Sequence, residues 1–424
     1  MERPLTEHIR RGRPPLDLKG YEQVGGYQSV QKALKQLSPG EVTKTVKDSN
    51  LRGRGGAGFP TGGKWGFVPM GDEAPRPKYL VCNADEMEPG TFKDRYLMEG
   101  NPHQLIEAMI VASYAIEAEV AYIFLRAEYR RSAELLEKAI REAYAAGYLG
   151  KHILGTDHSL ALYLHTSAGR YICGEESALM NALEGKRALP RARPPFPPVV
   201  GLWGKPTVVN NVETLCNVPH IINRGADSYK GLGRGADSGT KLYGVSGRAK
   251  KPGLWELPIG TAMGEILEEY AGGMRDGYKF RGVIPGGAST DFLVEKHLDL
   301  PMDFESVQKA GSRLGTGMMI VLDDRTCPVG MVHNLEKFFA RESCGWCTPC
   351  RDGLPWVAEI LLAIEEGRGR EEDLDILRSH CKWLGPGMTF CALAPGAVEP
   401  LQSALKYFED DFNQHINAKC CPFR

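Results

Sequence analysis

The chain has 424 residues, enough for roughly two to four domains, and 42% hydrophobic content is ample for more than one core. With 52 Lys and Arg against 53 Asp and Glu the formal net charge is -1, so there is no basic field to draw nucleic acid or an anionic membrane surface. The longest apolar stretch, around Leu105 to Ile116, is broken by Glu107 and falls short of the roughly 20 residues that span a bilayer, so no direct membrane insertion is expected. The N-terminus, Met1-Glu2-Arg3-Pro4, has no apolar export core, and Glu2 and Glu7 argue against a transit peptide, which predicts a cytoplasmic protein of bacterial type.

Residues 1–50 read as a polar lead-in with one helix near Ser29 to Leu37. From Tyr79 the pattern alternates: strand Tyr79 to Cys82, helix Pro102 to Ala118, strand Ala121 to Leu125, helix Glu128 to Tyr148, strand Leu160 to His165. Alternation of this kind predicts βαβ units and a parallel sheet, in an α/β domain over 51–238. A Pro-rich arm, Leu189 to Pro198, precedes a polar-apolar stretch at Thr207 to Ile222. Short strands at Leu242 to Val245 and Phe280 to Ile284, with a helix near Met263 to Tyr270, predict a small α+β module over 239–325. Beyond it the periodicity is helical, at Met331 to Glu342, Leu354 to Glu366, Glu372 to Cys381 and Ala397 to Phe412, which predicts a helical bundle over 326–424. The fold class expected is therefore α/β and α+β, multidomain.

Eleven cysteines without an export signal point to ligation rather than disulfides. Cys344, Cys347 and Cys350 stand three apart, and Cys391 follows about forty residues later. Three thiolates at that spacing suit one loop of a [4Fe–4S] cubane with a fourth arriving from elsewhere. Four-cysteine zinc sites are usually two separated pairs, which this is not. Cys381 rivals Cys391 as the fourth ligand, but it falls within a helical pattern, whereas Cys391 lies beyond Gly385-Pro386-Gly387, in a loop that can aim a thiolate.

Gly53-Arg54-Gly55-Gly56-Ala57-Gly58-Phe59-Pro60-Thr61-Gly62-Gly63-Lys64-Trp65 offers a run of unhindered backbone N–H groups beside Arg54 and Lys64, suited to nucleotide phosphates. Its likeness to a Walker A loop fails at Trp65, where the magnesium-binding Ser or Thr belongs. A mobile surface loop is the bland alternative. Asn83-Ala84-Asp85-Glu86-Met87-Glu88 follows a predicted strand, at the end where α/β sheets bind ligands, and could hold sugar hydroxyls, a magnesium ion or only solvent. Tyr171-Ile172-Cys173-Gly174-Glu175-Glu176 opens a helix, so its carboxylates either cap that helix or line a pocket.

Taken together, GRGGAGFPTGGKW at Gly53 to Trp65, CNADEMEPGTFKDR at Cys82 to Arg95, YICGEESAL at Tyr171 to Leu179, PTVVNNVETL at Pro206 to Leu215 and ESCGWCTPCRDG at Glu342 to Gly353 resemble the NADH-binding flavoprotein subunit of respiratory complex I. The order is the family's and the motifs span nearly the whole chain. The resemblance implies three cofactors: FMN, one [4Fe–4S] cluster and NAD(H). It assigns FMN to Gly53, Arg54, Gly55, Gly56, Gly58, Lys64, Asn83, Asp85, Tyr171, Gly174, Asn210, Asn211 and Thr214. Glu86, Glu88, Glu175 and Glu176 would line the shared flavin and nicotinamide pocket as the catalytic acids. Phe59, Phe67 and Phe196 would stack on adenine, with core packing as their plain alternative. The cluster ligands would be Cys344, Cys347, Cys350 and Cys391.

The resemblance further implies a ubiquitin-like (SLBB-type) middle module and an iron–sulfur helical bundle. The implied reaction passes hydride from NADH to FMN and then single electrons through the cluster to quinone. Implied partners are a [2Fe–2S] thioredoxin-like subunit and a large iron–sulfur subunit of the same complex, through which the chain would be peripheral to the inner membrane. Two other readings use the same motifs: the diaphorase subunit of an NAD-linked hydrogenase or formate dehydrogenase, and a non-catalytic iron–sulfur scaffold. An acidic pocket bearing four glutamates is expected to disfavour the added phosphate of NADPH, with Arg193 opposing. Cys420 and Cys421 match no cluster pattern and are read as an adventitious tail feature.

Overall fold

In the computed structural model, which describes residues 2–10 and 12–424, Tyr79–Ala84 (β1), Val120–Leu125 (β2), Ala161–Thr166 (β3) and Thr207–Asn211 (β4) form one sheet in the order β3-β2-β1-β4. Every neighbouring pair is parallel, with Tyr79 opposite both Val120 and Thr207. Parallel pairing demands a long crossover, and helix Pro102–Ile116 supplies it between β1 and β2. All of its residues but Tyr114 are buried, so it reads as apolar all round rather than amphipathic. Helix Arg130–Ala145, between β2 and β3, buries only Ser132, Leu136, Ala139, Ile140 and Ala143, the stripe of a surface helix.

The charge inside the apolar helix has a structural reason. Glu107 accepts from the Tyr21 hydroxyl at 2.5 Å, the Ser29 hydroxyl at 2.6 Å and the Ser29 N–H at 3.1 Å, and burial raises its carboxyl above the usual range. These donors come from the lead-in, which forms three helices, Leu18–Gln23, Gln28–Gln36 and Pro39–Asp48, where one was expected. The third starts with Pro39 and a Ser38–Glu41 capping box, a signal that was readable in the sequence. The lead-in belongs to the same unit as the parallel sheet, together with Phe92–Leu242 and Glu256–Gly260.

The second unit comprises Glu88–Thr91, Tyr243–Trp255 and Thr261–Arg424. A second sheet, of Thr240–Ser246 (β5), Gly253–Pro258 (β6), Phe280–Ile284 (β7) and Met318–Asp323 (β8), has the order β6-β5-β8-β7. It is mixed, with β5 parallel to β8 and β7 antiparallel to it. Helices Pro328–Glu342, Thr348–Glu365, Glu371–Leu384, Leu393–Tyr407 and Glu409–Ala418 follow. The single helix expected over Ala397 to Phe412 is thus two, parted at Phe408, whose buried ring meets Phe292 edge-on at 5.2 Å. Among the described residues no helix is long and apolar enough to cross a membrane.

Candidate functional site

The register of the parallel sheet sets Cys82 opposite Asn210 and Asn83 opposite Asn211, so these asparagines gather at the carboxyl edge, where open α/β sheets bind ligands. There Asn83 donates to the Gly174 carbonyl at 3.1 Å, which draws the Tyr171–Gly174 turn to the same edge. Asp85 accepts from the Ser167 hydroxyl at 2.9 Å, tying the chain beyond β1 to the chain beyond β3. Asn210 accepts from the indole of Trp65 at 2.8 Å, so the residue that disqualifies a Walker A loop here anchors it to β4.

Asn211 is held by a buried ionic group. Its amide donates to Asp94 at 2.7 Å and its oxygen accepts from Lys93 at 3.2 Å, while Lys93 pairs with Asp94 at 2.7 Å and Glu213 at 2.9 Å. Lys241 lies 3.3 Å from Glu213. Burial alone would raise the Glu213 carboxyl, but Lys241, Lys93 and Arg54 outweigh it and hold that carboxyl below the usual range. Burial brings the Lys241 ammonium down to about 7. The sequence offered no sign of this group, because charges that far apart read as separate solvated faces.

Each assigned residue of the Gly-rich loop has a defined environment. Gly53 donates to the Phe59 carbonyl at 2.8 Å, closing the loop on itself. Gly56 and Gly58 have φ of 120° and 66°, left-handed backbone that suits glycine. A Cβ at Gly55 would stand 3.0 Å from that of Asn211. The Arg54 N–H donates to the Thr214 hydroxyl at 2.8 Å, and its fully buried guanidinium donates to the Ser238 carbonyl at 2.8 Å and the Thr240 carbonyl at 3.2 Å. Arg54 therefore braces the loop through these contacts. Lys64 reaches the sheet edge, its ammonium 2.5 Å from Glu176 and 2.8 Å from the Val209 carbonyl.

The acids divide by environment. Glu175 both caps and pairs: one oxygen accepts from the N–H groups of Ser177 at 3.0 Å and Ala178 at 2.8 Å, and the other meets Arg193 at 2.6 Å. Arg193 also lies 3.0 Å from Glu176, which Lys64 reaches from the opposite side. Two cations thus answer these two carboxylates, and the expected like-charge rejection of a further phosphate is smaller than a bare count of glutamates implies. Glu86 is buried and accepts from Asp94 N–H at 2.8 Å, Arg95 N–H at 3.1 Å and the Tyr129 hydroxyl at 2.9 Å; burial, with Asp94 adding, pushes its carboxyl up to about 7. Glu88 belongs to the second unit, where it accepts from the Ser289 N–H at 2.6 Å.

Core packing does not account for the three phenylalanines. Phe59, Phe67 and Phe196 are exposed at 52%, 61% and 56%, and the rings of Phe59 and Phe67 lie 6.5 Å apart. Exposed rings are open to base stacking, and of the three Phe59 and Phe67 stand at the Gly-rich loop.

In the second unit, Cys344 and Cys347 precede helix Thr348–Glu365 and Cys350 sits in its first turn. The Cys350 thiol is raised by burial, against a Ser343 hydrogen bond, with Cys344 and Cys347 near enough to raise it further. The Phe390 N–H points at Cys347 Sγ at 3.3 Å, and its ring packs on Trp346 at 4.6 Å, which carries the Cys391 turn to the three-cysteine loop. Cys381 lies in helix Glu371–Leu384, where burial, then Glu336 and Asp291, push its thiol up to about 12. Three thiols on one loop with a fourth delivered from a turn fit a cubane. The open space beside Gly174, at the Asn83 contact, and the glycine backbone fit a flavin nucleotide.

Residues 46–220 match the Nuo51 FMN-binding domain family, and residues 330–415 match the NADH-ubiquinone oxidoreductase-F iron-sulfur binding region. Among relatives, the F-subunit of NADH-quinone oxidoreductase in Escherichia coli is 59% identical over 97% of this chain and 93% of its own length. The corresponding NADH-quinone oxidoreductase F-subunit of Streptomyces coelicolor is 48% identical over 95% and 89%. An NAD+-reducing [NiFe]-hydrogenase in its H2-reduced state has a chain that superposes with a TM-score of 0.81 at 37% identity, covering 94% of this chain and 65% of that one. The chain belongs to the family of NADH-quinone oxidoreductase F-subunits.

Proposed function

We propose that this chain is the electron-input subunit of an NADH:quinone oxidoreductase, accepting electrons from NADH through FMN and a [4Fe–4S] cluster. Bound FMN supplies the conversion of a two-electron donor into single-electron output through the cluster. The protein's residues bind and orient. Gly53, Gly55, Gly56 and Gly58 offer backbone N–H groups, Lys64 sets a charge at the edge of β4, and Asn83, Asp85, Tyr171, Gly174, Asn210, Asn211 and Thr214 take the remaining polar contacts. Arg54 holds FMN with them and also supports the loop through Ser238 and Thr240.

Glu86, Glu175 and Glu176 line the pocket, Arg193 and Lys64 hold two of these acids in place, and Phe59, Phe67 and Phe196 stack on adenine. Cys344, Cys347, Cys350 and Cys391 ligate the cluster. The observation that carries the reading is Lys64, whose ammonium joins the Gly-rich loop, the edge of the parallel sheet and the Glu176 helix at one point.

Residues 51–238 make the FMN- and NADH-binding domain, 239–325 a ubiquitin-like module and 326–424 the cluster domain, with 1–50 as lead-in. Electrons leave through a [2Fe–2S] thioredoxin-like subunit and a large iron–sulfur subunit of the same complex, through which this cytoplasmic chain is peripheral to the inner membrane. The 59% identity to the Escherichia coli F-subunit over nearly both full lengths favours this reading over a hydrogenase diaphorase, at 37%. Purified with its cofactors, the chain is expected to oxidise NADH with ferricyanide and to show negligible activity with a quinone. Rapid quinone reduction by the lone chain would refute the assignment.

A further inference from the structure

Among the described residues, Cys327, Glu365, His415 and Cys421 bring one ligand atom each within 4.8 Å of one another. They come from four separate elements of the second unit: the N-cap of helix Pro328–Glu342, the last residue of Thr348–Glu365, helix Glu409–Ala418 and the C-terminal tail. Cys327 Sγ lies 3.2 Å from Glu365 Oε2 and 3.3 Å from His415 Nε2, and those two are 3.2 Å apart. In a tetrahedral zinc site with bonds of about 2.0 to 2.3 Å, ligand atoms stand about 3.3 to 3.8 Å from each other. Three of the four atoms already stand at about that spacing, and all four lie within 4.8 Å of one another.

The surroundings aim these atoms inward. His415 Nδ1 lies 2.6 Å from the Asp411 carbonyl, a contact that fixes the proton on Nδ1 and turns the Nε2 lone pair to the centre. Arg424 holds Glu365 Oε1 at 3.0 Å and leaves Oε2 facing the thiol and imidazole. The Gly330 N–H donates to Cys327 Sγ at 3.2 Å and so fixes the sulfur's place in the group. His415 is fully buried, with Glu365 at 5% and Cys421 at 7% exposure.

The tail is built to return Cys421 to this place. Lys419 takes the left-handed conformation, with φ of 54°, and turns the chain after the last helix. Gly367 has φ of 75°, and a Cβ there would fall 1.9 Å from the Lys419 carbonyl, so only glycine lets the tail lie across the end of helix Thr348–Glu365.

We infer that Cys327, Glu365, His415 and Cys421 form a structural zinc site. Two thiolates, an imidazole and a carboxylate are the donor set that zinc takes, and four protein ligands leave no open position for catalysis. Binding releases one proton from each thiol to solvent; the dication with two thiolates and one carboxylate leaves a single negative charge, which Arg424 offsets. The site is separate from the cluster. Glu365 stands fifteen residues along one helix from Cys350, about 22 Å at the helical rise. Zinc here ties the tail and the last helix to the far end of the helix that carries Cys350. Cys421 thereby gains a role, while Cys420 is exposed and outside the group.

Elemental analysis of the cofactor-loaded chain is expected to find about one zinc beside the iron of the cluster. Cys327→Ser and Cys421→Ser should each lower zinc by at least the roughly tenfold that loss of an outer partner already costs. Iron and FMN should stay unchanged, and Cys420→Ser should keep its zinc. In case either variant fails to fold, zinc-edge X-ray absorption of the unaltered chain reads the site directly: two sulfurs near about 2.3 Å and two N or O ligands near about 2.0 to 2.1 Å are expected. Absence of zinc after growth with ample zinc, a zinc shell of another composition, or a Cys327–Cys421 disulfide in freshly reduced cell extract would overturn the proposal.

Discussion

Cys391→Ser is expected to reduce bound iron from about four atoms per chain to below about one, with Cys381→Ser leaving it unchanged. The structure separates the two cysteines by environment. The turn that bears Cys391 is fastened to the three-cysteine loop twice, by Phe390 N–H on Cys347 Sγ and by Phe390 packed on Trp346. Cys381 lies in a helix beside Glu336 and Asp291, where a thiolate is disfavoured by burial and by two acids. A cubane needs four thiolates at its corners, so the fourth corner belongs to the cysteine whose turn is fastened to the three-cysteine loop. FMN should be retained in Cys391→Ser, because every residue assigned to hold it lies in the first unit. NADH–ferricyanide activity should therefore persist in large part. Iron kept in Cys391→Ser and lost in Cys381→Ser would reverse the assignment.

Lys64→Ala should strip FMN from the purified chain and remove NADH–ferricyanide activity in proportion. Two of the three ammonium N–H donors are spent on Glu176 and the Val209 carbonyl, which fix the charge at the sheet edge. Removing it deletes a charge-assisted contact to a bound phosphate or flavin oxygen and also leaves Glu176 with Arg193 as its remaining cation. Together these should weaken FMN binding by roughly a hundredfold. Iron content should not change. Fluorescence of released flavin, measured beside iron content on the same sample, checks this; full FMN occupancy in Lys64→Ala would remove Lys64 from the binding site.

How much of this was legible depended on whether the signal was local. β1 and β2 were found because buried parallel strands are apolar runs, β3, a largely unburied edge strand, because Leu160 to Leu164 is still mostly apolar, and the helix Pro102–Ile116 because Pro102 opens a long apolar stretch. β4 was read only as a polar-apolar stretch. It is five residues long, ends in two asparagines, and is recognisable chiefly by its pairing with β1, a long-range fact. β6 and β8 are as long as β1, at six residues each, but they are bordered by glycine and turn residues and were not separated from the surrounding loops.

The site residues divided along the same line. The three-cysteine loop, the Gly-rich loop and the acids were contiguous and chemically specific. Their supports were not: Trp65 on Asn210, Ser167 on Asp85, and the buried group of Lys93, Asp94, Glu213 and Lys241 exist only once distant segments meet. Cys327 and Cys421 are 94 positions apart and gave no spacing to read, so the pair looked unrelated until the tail was seen to fold back.

Anaerobic titration of the cofactor-loaded chain with NADH, followed by flavin absorbance and by electron paramagnetic resonance of the cluster, tests the central claim most directly. About one equivalent of NADH should bleach most of the flavin band, and further NADH should bring up whatever part of the cluster signal its potential allows. A flavin band untouched by excess NADH, in a sample that a chemical reductant bleaches fully, would contradict electron entry through this chain.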